Sequence, residues 1–200
     1  TGCLPSGVPF GEASGLPNFQ ARVSLTGGKT ASPWPQYPAG DFNVFVAGEW
    51  DQKDMNGYGV SGGDAFTTYA VQAGAKVLAG PLLVAANAFV GQNTGGLIGT
   101  IGSQFAPLTG NNVFDMGGWI QAGVMLTKEW ALWGTAGSAR PNLDDVDAAK
   151  FTRRFQNVYA GMLSYKDGPY IVGIEWVHWL LGTSTLVKVN QGIATVLYSF

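Results

Sequence analysis

His178 is the only histidine in the 200-residue chain, and Thr183 and Ser184 follow it closely. Acyl-transfer chemistry needs a base held within hydrogen-bond reach of a nucleophile and steadied by a third group. A single His near a strand end, with no carboxylate beside it, reads as a polar rim residue, so no enzyme is expected. Metal chemistry fares no better, because one His and one Cys at opposite ends of the chain supply no ligand spacing. The acidic run Asp144, Asp145 and Asp147 has the oxygen donors for a weak Ca²⁺ site. A solvated loop, or a vestibule that attracts cations, is the plainer reading of that run. Gly95-Gly96 and Gly117-Gly118 lack the Lys and the strand-to-helix setting of a phosphate loop. No metal and no cofactor are therefore expected. What remains is a scattered set of polar side chains: Gln72, Lys76, Asn87, Gln121, Arg154, Glu175 and Gln191. Each lies within a segment that is otherwise apolar at alternate positions, which is how the wall of a water-filled passage is written.

The composition suits such a wall. Hydrophobic residues make up 46% of the chain, Gly accounts for 30 positions, and charged residues for only 12%, about half the usual share. A surface so poor in charge suits a medium other than water. The net charge of −2 leaves no basic patch, so nucleic acid is not expected as a partner. No run of 18 apolar residues is present, which excludes a membrane-spanning helix. The opening shows no signal peptide, so a secreted protein with this start is expected to be processed or incomplete. One cysteine allows no internal disulfide. Thr1-Gly2-Cys3 is similar to a lipoprotein cleavage site, but mature lipoproteins begin at the cysteine, and Cys3 reads as a loop residue.

Alternation is the dominant pattern. From Tyr69 to Val77 the odd positions are apolar, and the even ones carry Gln72 and Lys76. Leu82, Val84, Ala86, Ala88 and Val90 form a second apolar row, with Asn87 opposite. Met116, Gly118, Ile120, Ala122, Val124 and Leu126 form a third, opposite Asp115, Gln121 and Thr127. Successive side chains of a strand point to opposite faces, so each segment can present lipid-compatible and polar faces together. The reading gives strands at 42–50, 66–79, 82–92, 114–126, 129–139, 153–165, 169–180 and 185–200, with an earlier one at 18–26 after a loop segment at 1–17. In 153–165 parity is unresolved, since Gln156 and Asn157 cannot share a face. In 169–180 Ile171, Val177 and Trp179 share a face with Glu175, which a neighbouring subunit could explain.

Tight turns are expected at Ala79-Gly80-Pro81, Thr127-Lys128-Glu129 and Lys166-Asp167-Gly168, and long polar links at 92–113 and 140–152. Short turns on one side and long loops on the other match an outer-membrane barrel, with the turns and the C-terminus in the periplasm. A strand at 18–26 would then start outside, which leads us to expect further strands upstream. Tyr165, Tyr170, Tyr198 and Phe200 fall at one interface, and Trp50, Trp176 and Trp179 near the other. The competing reading of these aromatics is the core of a soluble sandwich.

Ile193 to Phe200 ends the chain on an aromatic, with Tyr198, Val196 and Ala194 on the same face. This resembles the C-terminal insertion signal of outer-membrane barrels, carried here by Tyr198 and Phe200. Further segments are similar to the second half of large Gram-negative porins, the DcaP-like trimeric group in particular: Gly15 to Val23, Phe42 to Trp50, Asn157 to Tyr165, and the Gly173-Ile174-Glu175-Trp176 pattern. That resemblance implies a barrel of roughly 16 strands, of which this chain supplies about half, assembled as a homotrimer. The fold expected is thus an all-β, antiparallel transmembrane β-barrel with eight or nine strands in this chain. The function expected is an outer-membrane porin passing small hydrophilic solutes or ions, its partners being membrane lipid and those solutes. The alternative is a non-conducting barrel that serves in adhesion, as a structural partner or as a sheath.

Overall fold

The computed structural model describes residues 18–28, 41–54, 65–94, 112–145, 154–182 and 185–198. They form nine strands: β1 (Phe19–Gly27), β2 (Phe42–Asp54), β3 (Ala65–Ala79), β4 (Leu82–Gln92), β5 (Phe114–Met125), β6 (Trp130–Pro141), β7 (Phe155–Asp167), β8 (Tyr170–Gly182) and β9 (Leu186–Tyr198). No α-helix occurs among the described residues. Each strand pairs antiparallel with the next, giving one nine-stranded sheet in chain order. Every expected strand is present, the early one included. The ends differ: β2 runs on past Trp50 to Asp54, and β7 begins at Phe155, which leaves Arg154 outside it. Among the described residues the sheet is not closed, and β1 and β9 are its two edges. The segment expected as a loop at 1–17 lies outside the described residues.

Turn chemistry explains the sharp reversals. Gly80 and Gly168 have φ of 57° and 53°, and each is followed by Pro. Positive φ at the first central position, then a residue fixed at negative φ, suits the II′ hairpin turn, whose twist matches its strands. The turn expected at Lys166–Gly168 therefore shifts: Lys166 and Asp167 remain paired with Ile171 and Tyr170, and Gly168-Pro169 make the reversal. Between β5 and β6 the Thr127 hydroxyl accepts from the amides of Glu129 and Trp130, both at 3.1 Å. That side-chain turn adds to the backbone bonds that the Leu126 and Thr127 amides donate to the Trp130 carbonyl, at 2.9 and 3.3 Å.

Register gives the sheet its tilt. One row of facing residues runs Gly27, Phe42, Val77, Val84, Ala122, Gly134, Gly161, Trp176, Gly192. It starts at the last residue of β1 yet reaches β9 six residues before that strand ends at Tyr198. Strands are thus staggered steadily across the sheet, the offset that a tilted, coiling sheet requires.

The two faces differ sharply. One carries Val23, Ile174 and Val196 at 78%, 68% and 69% exposure, along with Val46, Val71, Ile120 and Leu132. The other contains Leu83 and Thr68 at 0%. In a single layer, burial confined to one face means the sheet curls toward that face and its side chains crowd together. Near the turn end Leu78, Leu83, Ala85, Ala131 and Trp133 form the core cluster, with Met125 and Met162 packed on it. Glycines make this crowding possible. A Cβ on Gly123 would stand 2.6 Å from the Trp133 ring, and one on Gly117 2.7 Å from the Phe89 ring. Phe45 covers Gly74 in the same way. In each pair the aromatic directly faces the glycine across two strands, so the ring fills what the missing side chain leaves open.

These glycines are not equivalent. Gly134, on the exposed face, has nothing within 4 Å of an added Cβ. Gly123→Val should cost about 1–3 kcal/mol by displacing the Trp133 ring, whereas Gly134→Val should change stability by less than about 0.5 kcal/mol. Urea unfolding of the two variants measures this, and equal losses would contradict the assigned faces.

Candidate functional site

The covered face brings together most of the polar residues singled out above. Lys76, Gln121 and Gln191 lie on one row of register partners, which also holds Thr26, Asn43, Thr135 and Val177. Asn87 and then Gln72 lie on the next two rows toward the loop end, and Glu175 one row toward the turn end. Five different strands thus deliver six expected residues to one face. Arg154 is the exception. It precedes β7, is exposed, and donates its amide to the Gly182 carbonyl at 2.6 Å. The parity left open for β7 is resolved: Gln156 faces the covered side with Ala139 and Leu181, and Asn157 the exposed side with Ser138.

Neutral amides and hydroxyls dominate the middle of this face. The Asn87 amide donates to Gln72 Oε1 at 3.2 Å, and Gln121 donates to the Thr135 hydroxyl at 3.2 Å. Asn43 donates to the Thr26 hydroxyl at 2.7 Å. Charges sit mainly toward the β1 side. Glu49 Oε1 accepts from Asn18 at 2.8 Å and from Gln20 at 2.9 Å, and the Arg22 guanidinium lies 3.9 Å above the Phe45 ring. Lys76 is only 6% exposed and engaged with a neighbour, so it is less accessible than a wall charge would be. Toward β8 and β9 the same face turns apolar. Ile171, Val177 and Trp179 share it with Glu175, as expected, and Val187, Val189, Ile193 and Leu197 extend it.

At the loop end a buried polar knot went unread in the sequence. Asn93, in the left-handed region at φ 57°, donates to the Thr67 carbonyl at 2.9 Å and to Asn112 Oδ1 at 2.7 Å. Its Oδ1 accepts from the Val113 amide at 2.9 Å. Thr94 donates its hydroxyl to Asp115 Oδ1 at 2.5 Å, both residues being buried. One asparagine thus ties the two ends of the 93–113 link to each other and to β3. An Asn at a strand end hints at the left-handed conformation, but no local spacing announces partners twenty residues away.

The remaining candidates fall elsewhere. His178 lies on the exposed face, donates to Asn190 Oδ1 at 2.8 Å and stacks on Trp176 with centroids 5.6 Å apart. Thr183 and Ser184, its sequence neighbours, lie outside the described residues, as do Asp147, Cys3 and Phe200. Asp145 Oδ2 accepts the Phe114 amide at 3.1 Å, so this carboxylate anchors the start of β5. Among the described residues no group of three His, Cys, Asp or Glu could hold a metal ion. On the exposed face aromatics pair at both ends. Trp130 and Tyr165 (4.9 Å) and Tyr170 and Tyr198 (5.0 Å) sit at the turn end, and Phe19 and Trp50 (5.9 Å) at the loop end. Trp179, grouped with Trp50 and Trp176 by position, faces the covered side with Glu175, as its parity implied.

Comparison with protein-family models, with curated proteins and with solved structures finds no match. The geometry therefore carries the functional argument.

The knot yields a direct test. Thr94→Val keeps the shape but removes the hydroxyl from the buried Asp115 carboxylate, a loss of about 1–3 kcal/mol. Chemical denaturation should show a lower midpoint with an unchanged slope. An unaltered midpoint would mean that this hydrogen bond does not hold the loop end.

Proposed function

We propose that this chain builds part of the wall of a bacterial outer-membrane β-barrel that passes small hydrophilic solutes without energy input. In this reading the exposed apolar face meets lipid and the covered face meets a water-filled lumen. The observation that carries it is the contrast between one exposed, largely apolar face of the sheet and an opposite face, covered in the middle strands, whose β1–β5 half carries Arg22, Glu49, Gln72, Asn87 and Gln121 beside the apolar cluster of Leu78, Leu83 and Ala85. An apolar surface of that extent is not stable against water, and no second layer is available among the described residues to make it a sandwich core. Aromatic pairs at both ends of the exposed face suit the two membrane interfaces.

Closure follows from the same physics. In hydrocarbon every backbone N–H and C=O must be paired, so an open edge cannot persist. In a nine-stranded antiparallel order β1 and β9 run in the same direction. An all-antiparallel closure then needs an odd number of additional strands, which agrees with a porin of roughly 16. The porin-like segments noted above suggest the trimeric DcaP-like group and a homotrimer. One observation favours the non-conducting alternative: apart from Glu175, Gln191 and Thr195, the covered face of β8 and β9 is apolar and would suit a filled interior as well as a wetted one.

Two measurements test the proposal. Ile120 and Gln121 are adjacent in β5 but face opposite media. Ile120→Arg should destabilise the membrane-inserted protein by up to about 2–4 kcal/mol, and Gln121→Arg should be tolerated. Equal tolerance would deny the lipid face. In planar bilayers the complete protein should conduct, and Glu175→Gln should move the reversal potential toward anion preference, because a negative wall charge is lost. The shift should fade at 1 M salt, where screening acts over about 3 Å. Absence of any channel would favour the sheath or adhesion reading.

A further inference from the structure

On the covered face, Gln72, Asn87, Phe89, Trp119, Gln156 and Val158 line a cleft of about 220 Å³. Trp119 is 43% exposed, whereas Phe89 and Trp133, the neighbouring large rings on this face, are 6% and 4% exposed. Its register partners explain the opening. On one side stands Asn87, and on the other Gly137, which brings no side chain. A Cβ at Gly137 would come within 3.0 Å of Val158 Cγ1 and 3.4 Å of Trp119 Cβ, so glycine keeps space beside the indole. The polar side of the cleft is made of the Gln72, Asn87 and Gln156 amides, with Ser138 also in the lining. The bond between Asn87 and Gln72 occupies the Gln72 carbonyl and one Asn87 N–H, leaving the Gln72 amide donors and the Asn87 carbonyl oxygen for a solute. None of the lining residues is charged.

We infer that this cleft is a binding subsite for neutral polyhydroxylated rings, that is, sugars. Each sugar hydroxyl both donates and accepts, and paired side-chain amides offer both functions at one place. The C–H faces of a pyranose ring are apolar and lie flat on an exposed indole, while the hydroxyl edges reach the amides. An anionic solute would require a cation at the wall for a charge-assisted bond, and the cleft provides none. The subsite deepens the channel reading and rests on it, since only a water-filled lumen brings solute to this face. It makes the channel sugar-retarding rather than indifferent to its neutral solutes.

The test uses the complete protein in planar bilayers, with maltotriose as the neutral probe and succinate as the anionic one. Maltotriose should interrupt the ion current reversibly, and succinate at equal concentration should not. Trp119→Ala should raise the half-blocking concentration by about tenfold, the size of one good contact, and Trp119→Phe, which keeps a ring, should fall between. A channel that conducts but ignores maltotriose overturns the subsite and leaves the channel reading intact. So does a block that Trp119→Ala leaves unchanged. If the protein folds but forms no channel, the channel reading fails, and fluorescence titration of the solubilised protein with maltotriose still decides the subsite. A quench lost in Trp119→Ala supports it, and no quench overturns it.

Discussion

Cross-strand pairing of the backbone between sequence neighbours is the interaction from which the other features follow. It fixes register, and in a sheet register decides which medium each side chain meets. Slipping β3 by one residue would carry Gln72 and Lys76 to the exposed face and bring Val71 and Val77 to the covered one. Short Gly-Pro turns hold that register at one end. At the other, Asn93 clamps the link between β4 and β5, so a loop free to lengthen still closes on a fixed point.

Curvature comes at the expense of side-chain volume on the covered face. Aromatic rings laid over Gly74, Gly117 and Gly123 fill that face without bulk on every strand. The same device explains why so Gly-rich a chain still makes long strands. A strand glycine loses packing and gains backbone freedom when unfolded, and a ring from the next strand restores the packing. The exposed face needs no such economy, and Gly134 there touches nothing.

Much of the fold was legible because alternation with period two is a local signal. All nine strands and the side assigned to Gln72, Lys76, Asn87, Gln121, Glu175 and Gln191 follow from parity, which survives errors of a few residues at strand ends. What parity cannot show is depth of burial. Lys76 and Gln121 lie on one row of the same face, yet one is nearly covered and the other partly open. Arg154 illustrates the opposite failure, since it lies one residue beyond a strand end, where parity has no meaning. The Asn93 knot depends on partners across a twenty-residue link, and Trp119 looks from its sequence neighbours like one more barrel aromatic. Only its pairing with Gly137 shows that its ring has room beside it.

The covered face is itself divided, and the division bears on what it can meet. From β1 to β5 it presents Arg22, Glu49, Gln72, Asn87 and Gln121, and across β8 and β9 it presents Ile171, Val177, Val187 and Val189. Water wets the first region readily and the second poorly. Trp119 lies between them, with Asn87 on one side and, beyond Gly137, Val158 on the other. A fully solvated ion gains little at such a border, because it needs polar partners all round. A solute with apolar faces and polar edges gains on both sides at once. In the proposed channel, the boundary between wetted and unwetted wall, more than any single charge, would set the chemistry of solutes that linger on this face.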